Sequence, residues 1–300
     1  MRAFRRLALG ASMLALALSA CSTGGGGTTI KIGSDAFDEA RVVAEIYAQA
    51  LEAAGFTVDR AGIGAGARAI TAAAIESGQI DLKPEYLGGG WAHYGGTPGR
   101  STADNRAGLA AALAPKGITV LEPTPGQDTN AFVVRKETAE EYDLVKLSDV
   151  APVQNELKWG LATDCETNPL CAKALKDEYG IDPENVTLLG ACSGPMAEAL
   201  LNETIDVAEL CSTGPEITTN GWVVLEDDKQ TQPAENIVPI VRDALLAQID
   251  RAKFERTLNE VSAKIDTKTL AQLYYDVAVG KKDVADVASA WLKSVGLVPE

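Results

Sequence analysis

Cysteines, a single histidine and a cluster of aromatics near acidic residues are the side chains of this sequence best suited to chemistry. Cys165, Cys171, Cys192 and Cys211 form an even set in the second half of the chain. Four thiols permit three disulfide pairings. Cys165 and Cys171 are close in sequence, and Cys192 and Cys211 each follow an apolar, strand-like segment, so the expected pairs are 165–171 and 192–211. Each bridge contributes about 2–4 kcal/mol. Zinc is the competing use of such thiols, but no Cys-x-x-Cys occurs and His93 is the only histidine. That histidine lies in Gly90-Trp91-Ala92-His93-Tyr94, which gives a Ser-His-Asp hydrolase little support. A cysteine nucleophile fails if the four thiols are oxidised. No catalytic residue, metal or cofactor is expected. Trp91 and Tyr94, with Tyr86 just upstream, instead offer aromatic faces, which attract cations.

The elements that position these residues alternate in type. Residues 30–34 read as a strand and residues 38–54 as a helix, with Val43, Ile46, Tyr47, Ala50, Leu51 and Ala54 at helical spacing and Gly55 at its end. Further strands are expected at 56–59, 80–82 and 118–121, and further helices at 67–77 and 102–114. The pattern then restarts: strands at 130–134, 158–162, 186–189 and 205–207, helices at 171–179 and 196–201. Residues 74–82 echo residues 200–207, each a helix end, a polar turn and an apolar-Asp-apolar step at Asp81 or Asp206. The tail from about 242 to 297 reads as helical, with Asp266 or Thr267 as a cap and Trp291 on a core-facing stripe. The expected fold is α/β with mostly parallel strands, in two lobes of one architecture.

Of the 300 residues 46% are hydrophobic and the formal net charge is −15. A globular chain this acidic lacks the basic patch that nucleic acid or an anionic lipid surface requires. Its first 20 residues differ from the rest: Arg2, Arg5 and Arg6 precede an apolar run from Leu7 to Ala20, too short to span a bilayer as a helix. Leu18-Ser19-Ala20-Cys21 resembles the lipobox of bacterial lipoproteins. That resemblance implies cleavage before Cys21, lipidation of its thiol and a protein tethered on the extracytoplasmic side of the cell membrane. Residues 21–29 would be a flexible tether.

Several stretches, taken together, resemble the substrate-binding proteins of ABC transporters for glycine betaine, choline, carnitine and related osmoprotectants. They are Gly33-Ser34-Asp35-Ala36-Phe37-Asp38-Glu39, Glu45-Ile46-Tyr47-Ala48-Gln49-Ala50-Leu51, Asp81-Leu82-Lys83-Pro84-Glu85-Tyr86, Lys136-Glu137-Thr138-Ala139 and Val224-Leu225-Glu226-Asp227-Asp228-Lys229. The resemblance implies a two-lobed type II periplasmic-binding-protein fold with a helical C-terminal tail. Lobe I would span 30–127 and 234–300, and lobe II 128–233. It also implies a cleft site with a tyrosine cage for a quaternary ammonium and basic or hydroxyl anchors for a carboxylate. Tyr86 matches one cage position. Asn130, the Cys211-Ser212 segment and Glu235 stand at the other three. Asp35, Asn168 and Gly89 stand where the family has anchoring groups, so no basic anchor is placed. The candidate ligand-binding set is Asp35, Tyr86, Gly89, Trp91, Asn130, Asn168, Ser212 and Glu235, a lining suited to a cationic or neutral ligand. The implied function is the solute-binding component of an ABC importer, a monomer that hands a small molecule to a membrane permease. A hydrolase is the alternative from another class, and a sensory or adhesive lipoprotein that kept the fold but lost transport is a second.

Overall fold

Short apolar runs between glycine turns become strands wherever a neighbour can complete their hydrogen bonds. The computed structural model describes residues 28–299 apart from 164, 167, 169 and 191, so the leader, Cys21 and most of the tether lie outside the described residues. The described strands are β1 (Thr29–Asp35), β2 (Thr57–Gly66), β3 (Leu82–Tyr86), β4 (Ile118–Val120), β5 (Asn130–Val134), β6 (Trp159–Ala162), β7 (Val186–Leu189), β8 (Val207–Cys211), β9 (Val223–Val224) and β10 (Ile237–Arg242). They form two sheets, ordered β2-β1-β3-β10-β4 and β7-β6-β8-β5-β9.

The two sheets follow one plan. In each, three strands run parallel, β2-β1-β3 and β7-β6-β8. In each, an antiparallel strand separates the third parallel strand from a short edge: β10 between β3 and β4, β5 between β8 and β9. Strand β10 follows the whole second sheet in sequence, so the chain leaves the first sheet and later returns to it. The outgoing and returning segments pair as they cross. Gln127 bridges Asn236, and the Asp128 N–H donates to the Glu235 carbonyl at 3.3 Å. Buried Asn236 secures the crossing, its Nδ2 donating to the carbonyls of Thr124, Pro125 and Gly126 at 3.0, 3.3 and 3.3 Å.

The sequence echo has a structural counterpart. Asp81 Oδ2 accepts from the Lys31 N–H at 3.1 Å while Oδ1 accepts from Arg242 at 2.9 Å. Asp206 Oδ2 accepts from the Lys158 N–H at 2.9 Å while Oδ1 accepts from Arg135 at 2.6 Å. Each aspartate thus ties the neighbouring parallel strand to the antiparallel strand of its own sheet. Strands β3 and β8 begin after these aspartates, later than residues 80–82 and 205–207. The alternation rule misses them because both strands are buried yet carry Lys83, Glu85 and Glu209.

In the first half, the helix Asp38–Ala53 lies against the helices Arg251–Ser262, Thr267–Ala278 and Val284–Ser294, with Tyr47 fully buried and bonded to Ser262 Oγ at 2.9 Å. Asp250, Asp266 and Asp283 cap the three later helices by accepting from Lys253, Thr269 and Ala285 N–H groups. Such a cap contributes about 1 kcal/mol. Trp291 packs against this core. In the second half Cys165–Cys171 and Cys192–Cys211 are disulfides, with Cα atoms 5.0 and 5.1 Å apart. The second bridge does not join neighbouring strands, because β6 lies between β7 and β8. The loop after β7 instead reaches β8, where the Cys192 N–H donates to the Glu209 carbonyl.

One buried ammonium joins three elements of the first half. Lys83 on β3 is fully buried and donates to Asp35 Oδ1 on β1 at 2.9 Å, to Thr71 Oγ1 on the helix Arg68–Ser77 at 2.8 Å, and to Glu85 Oε2 at 3.0 Å. Its three N–H bonds are all used. Removing one partner of a buried ion pair leaves an uncompensated charge and costs about 3–5 kcal/mol. We predict that Lys83→Met lowers unfolding free energy by about that amount in denaturant titrations. A loss below about 1 kcal/mol would mean that Asp35 and Glu85 do not depend on Lys83.

Candidate functional site

The end of β3 and the crossing segments face each other across a cleft of about 410 Å³. Phe37, Arg68, Tyr86 and Gly89 line it from the first half. Asn130, Leu170 and Cys211 line it from the second, and Asp128, Thr129, Gln232, Pro233 and Glu235 from the crossings.

Tyr86 ends β3 and is nearly buried. Its ring lies 5.6 Å from the ring of Phe37 at a 40° tilt, forming a two-sided apolar corner. Its hydroxyl donates to Glu39 Oε1 at 2.6 Å, which fixes the ring. Glu39 is itself almost fully buried, and burial, with the nearby Asp128 adding to it, pushes its carboxyl up to about 8. The Tyr86 and Thr213 hydroxyls pull in the opposite direction. Thr213 lies near enough to act on Glu39, yet Glu39 Oε2 and Thr213 Oγ1 stop short of hydrogen-bonding geometry. Burial likewise raises Asp128, against bonds from the Thr213 N–H at 3.2 Å and Ser212 Oγ at 3.4 Å.

Arg68 opens the helix Arg68–Ser77 and donates Nε to Glu85 Oε1 at 3.0 Å. Among the described residues its terminal nitrogens take no protein acceptor. Glu235 accepts from the Gly88 N–H at 3.1 Å. Burial pushes the Glu235 carboxyl up to about 7; the Gly89 N–H, Arg68 and the Gly88 N–H pull it down, while Glu85 adds to the rise.

Of the residues expected to bind ligand, Tyr86, Gly89, Asn130 and Glu235 line this cleft. The other four are placed elsewhere. Asp35 is buried and occupied by Lys83 and Thr71. Trp91 belongs to the helix Leu87–His93 and packs with Leu87, Leu109 and Leu113. It fits there because positions 96 and 108 are glycine: a Cβ would lie 2.0 and 2.2 Å from its indole. Tyr94 joins the same cluster. Asn168 accepts from the Leu170 N–H at 2.9 Å, and Leu170 forms the wall. Ser212 accepts from the Thr129 N–H at 3.0 Å and lines a neighbouring cavity of about 460 Å³.

The expectation that no basic group faces the cleft is corrected by Arg68. Arg68 stands outside every motif position matched to the family, so the resemblance assigns it no role. Gly89 held the signal. A Cβ there would meet Arg68 Nη2 at 2.7 Å, so the missing side chain makes room for the guanidinium.

A profile of the substrate-binding domain of ABC-type glycine betaine transport systems matches residues 28–294. The glycine betaine-binding protein YehZ of Escherichia coli (strain K12) is 26% identical over 280 residues, covering 89% of this chain and 90% of its own length. The carnitine transport binding protein OpuCC of Listeria monocytogenes is 28% identical over 294 residues, covering 93% and 92%. A crystal structure described as a glycine betaine/carnitine/choline ABC transporter superposes with a TM-score of 0.80 at 25% identity, over 89% of this chain and 99% of that one. The two mixed sheets with their helices are the type II periplasmic-binding-protein fold.

The buried Glu39 carboxyl makes stability depend on pH. An unfolded glutamate ionises near 4.5 and the folded one near 8, so between these values only the unfolded chain releases its proton. Stability is unaffected by this group below about 4.5 and falls as pH rises towards 8, by about 1.4 kcal/mol per unit. Glu39→Gln is predicted to remove that slope and raise stability at pH 7 by on the order of 3 kcal/mol. Denaturant midpoints between pH 5 and 8 measure it; parallel curves for the two proteins would refute it.

Proposed function

The chain belongs to the family of substrate-binding domains of ABC-type glycine betaine transport systems, and from that premise we propose how it holds and delivers its ligand. It is the substrate-binding component of an importer of this class, not an enzyme, and it serves a membrane permease from the extracytoplasmic side. The lobes we propose are residues 30–127 with 234–300, and residues 128–233. A small ammonium ligand sits between them against the corner formed by Phe37 and Tyr86, with Arg68, Asn130 and Glu235 around it. The observation that carries this reading is that two aromatic faces from lobe I and polar and charged groups from both lobes and both crossings converge on one cleft. Arg68 widens the ligand class from cations and neutral molecules to zwitterions, because it supplies a partner for a carboxylate. Binding draws the lobes together, and the closed form is the one the permease accepts.

Calorimetry with choline, carnitine, glycine betaine and their less methylated analogues tests the site. At least one is expected to bind, with Tyr86→Ala weakening it by about tenfold or more through loss of cation–π attraction. Small-angle scattering should show a smaller radius of gyration with saturating ligand. Binding untouched by Tyr86→Ala, or an unchanged radius, would sink the reading.

The proposed anchor is the lipidated Cys21 thiol, supported by the basic start, the apolar run and Leu18-Ser19-Ala20-Cys21. The tethered protein acts as a monomer. Cys21→Ala is expected to move the protein out of the membrane fraction of fractionated cells, whereas equal partitioning of both forms would reject the anchor.

A further inference from the structure

A guanidinium and a carboxyl face the cleft side by side. Arg68 and Glu235 stand over adjacent glycines: a Cβ on Gly89 would meet Arg68 Nη2 at 2.7 Å, and one on Gly88 would meet Glu235 Oε1 at 2.6 Å. Among the described residues they form no ion pair with each other. Arg68 has committed only Nε, to Glu85, which leaves the two terminal nitrogens to grip a carboxylate as a fork. The cleft is also lined by groups that can accept: the Glu235 and Asp128 carboxyls and the amide oxygens of Asn130 and Gln232.

From this arrangement, and resting on the function proposed above, we infer that the ligand is a zwitterion whose ammonium keeps at least one N–H, a primary, secondary or tertiary amino acid in place of a trimethylated one. Arg68 takes its carboxylate, and Glu235 accepts from its N–H. A quaternary ammonium fills the same space and meets the same two rings, but it gives the acceptors nothing. Closing the cleft over it strips water from Glu235 and Asn130 without replacing the lost bonds. Sites built around hydrogen bonds reject analogues that lack the donor far more strongly than apolar pockets reject a missing methylene.

The test is calorimetry on the full extracytoplasmic chain with two series of constant backbone: glycine, sarcosine, dimethylglycine and glycine betaine, then 4-aminobutyrate and its N-methylated homologues up to the trimethyl form. We expect the affinity within a series to drop by about 10²-fold or more when the last N–H is replaced by methyl. Glu235→Gln should shrink that ratio. Arg68→Gln should weaken every member of a series together and leave the ratio standing. A trimethyl compound binding as tightly as its N–H homologue overturns this inference while leaving the importer function intact. Absence of binding by every member of both series overturns the inference; the small-ammonium reading falls with it only if choline and carnitine also fail to bind. The wild-type series decides the question even if a variant fails to fold.

Discussion

The buried Lys83 ammonium is the interaction on which the first half of this protein depends. An isolated ammonium in such a place would be prohibitively expensive. Here it is held by Asp35, Thr71 and Glu85, and Glu85 is shared in turn with Arg68. Two acids and two bases alternate along this chain of contacts, so the network neutralises itself without help from solvent or ligand. Its members come from β1, β3 and the helix Arg68–Ser77, so their relative positions are set by one set of hydrogen bonds. Tyr86 follows Glu85 directly, and its N–H also donates to Glu85 Oε1 at 2.8 Å. The wall of the cleft is therefore an extension of the buried ion network.

The same logic explains how the cleft acquires a cation. Arg68 is held at Nε by the interior network and presents its remaining donors outward. Gly89 leaves the space, and Gly88 supports the opposing Glu235. Charge reaches the cleft from beneath, through a side chain whose inner half belongs to the core. This differs from an anchor mounted on a surface loop, because the guanidinium is oriented before ligand arrives, and less ordering remains to be done on binding.

The second half repeats the plan of the first but is stapled differently. Asp81 and Asp206 perform the same task in the two sheets, each joining a parallel neighbour to an antiparallel strand. Where the first half has three C-terminal helices over the helix Asp38–Ala53, the second has two disulfides and a smaller core around Trp159. Both halves meet at the paired crossings, where Asn236 holds three successive carbonyls. Residues next to that pairing, Asp128 and Glu235, reach the cleft directly.

Much of the scaffold was legible in the residues alone. Alternating strand and helix patterns, the cap at Asp266 and the core side of Trp291 follow from periodicity and capping chemistry; closeness in sequence pairs Cys165 with Cys171, whereas Cys192 meets Cys211 across an intervening strand. Tyr86, Gly89, Asn130 and Glu235 were directed to the cleft by the family resemblance, whose matched positions lie near strand ends and crossings. Local rules failed where a polar residue was satisfied by something distant in sequence. Strands β3 and β8 read as too polar because the partners of Lys83, Glu85 and Glu209 lie on other elements. Asp35 read as a ligand contact because nothing local shows that Lys83, 48 positions later, claims it. Trp91 read as a cleft aromatic because the gap that receives it is made by Gly96 and Gly108 together with a helix that the glycine-rich stretch concealed. The sequence by itself determined the two-part α/β scaffold and the elements that end at the cleft. Only the tertiary structure decided which polar groups are used up in the interior and which, like the terminal nitrogens of Arg68, remain for a ligand, since that depends on distances between side chains that the linear order does not contain.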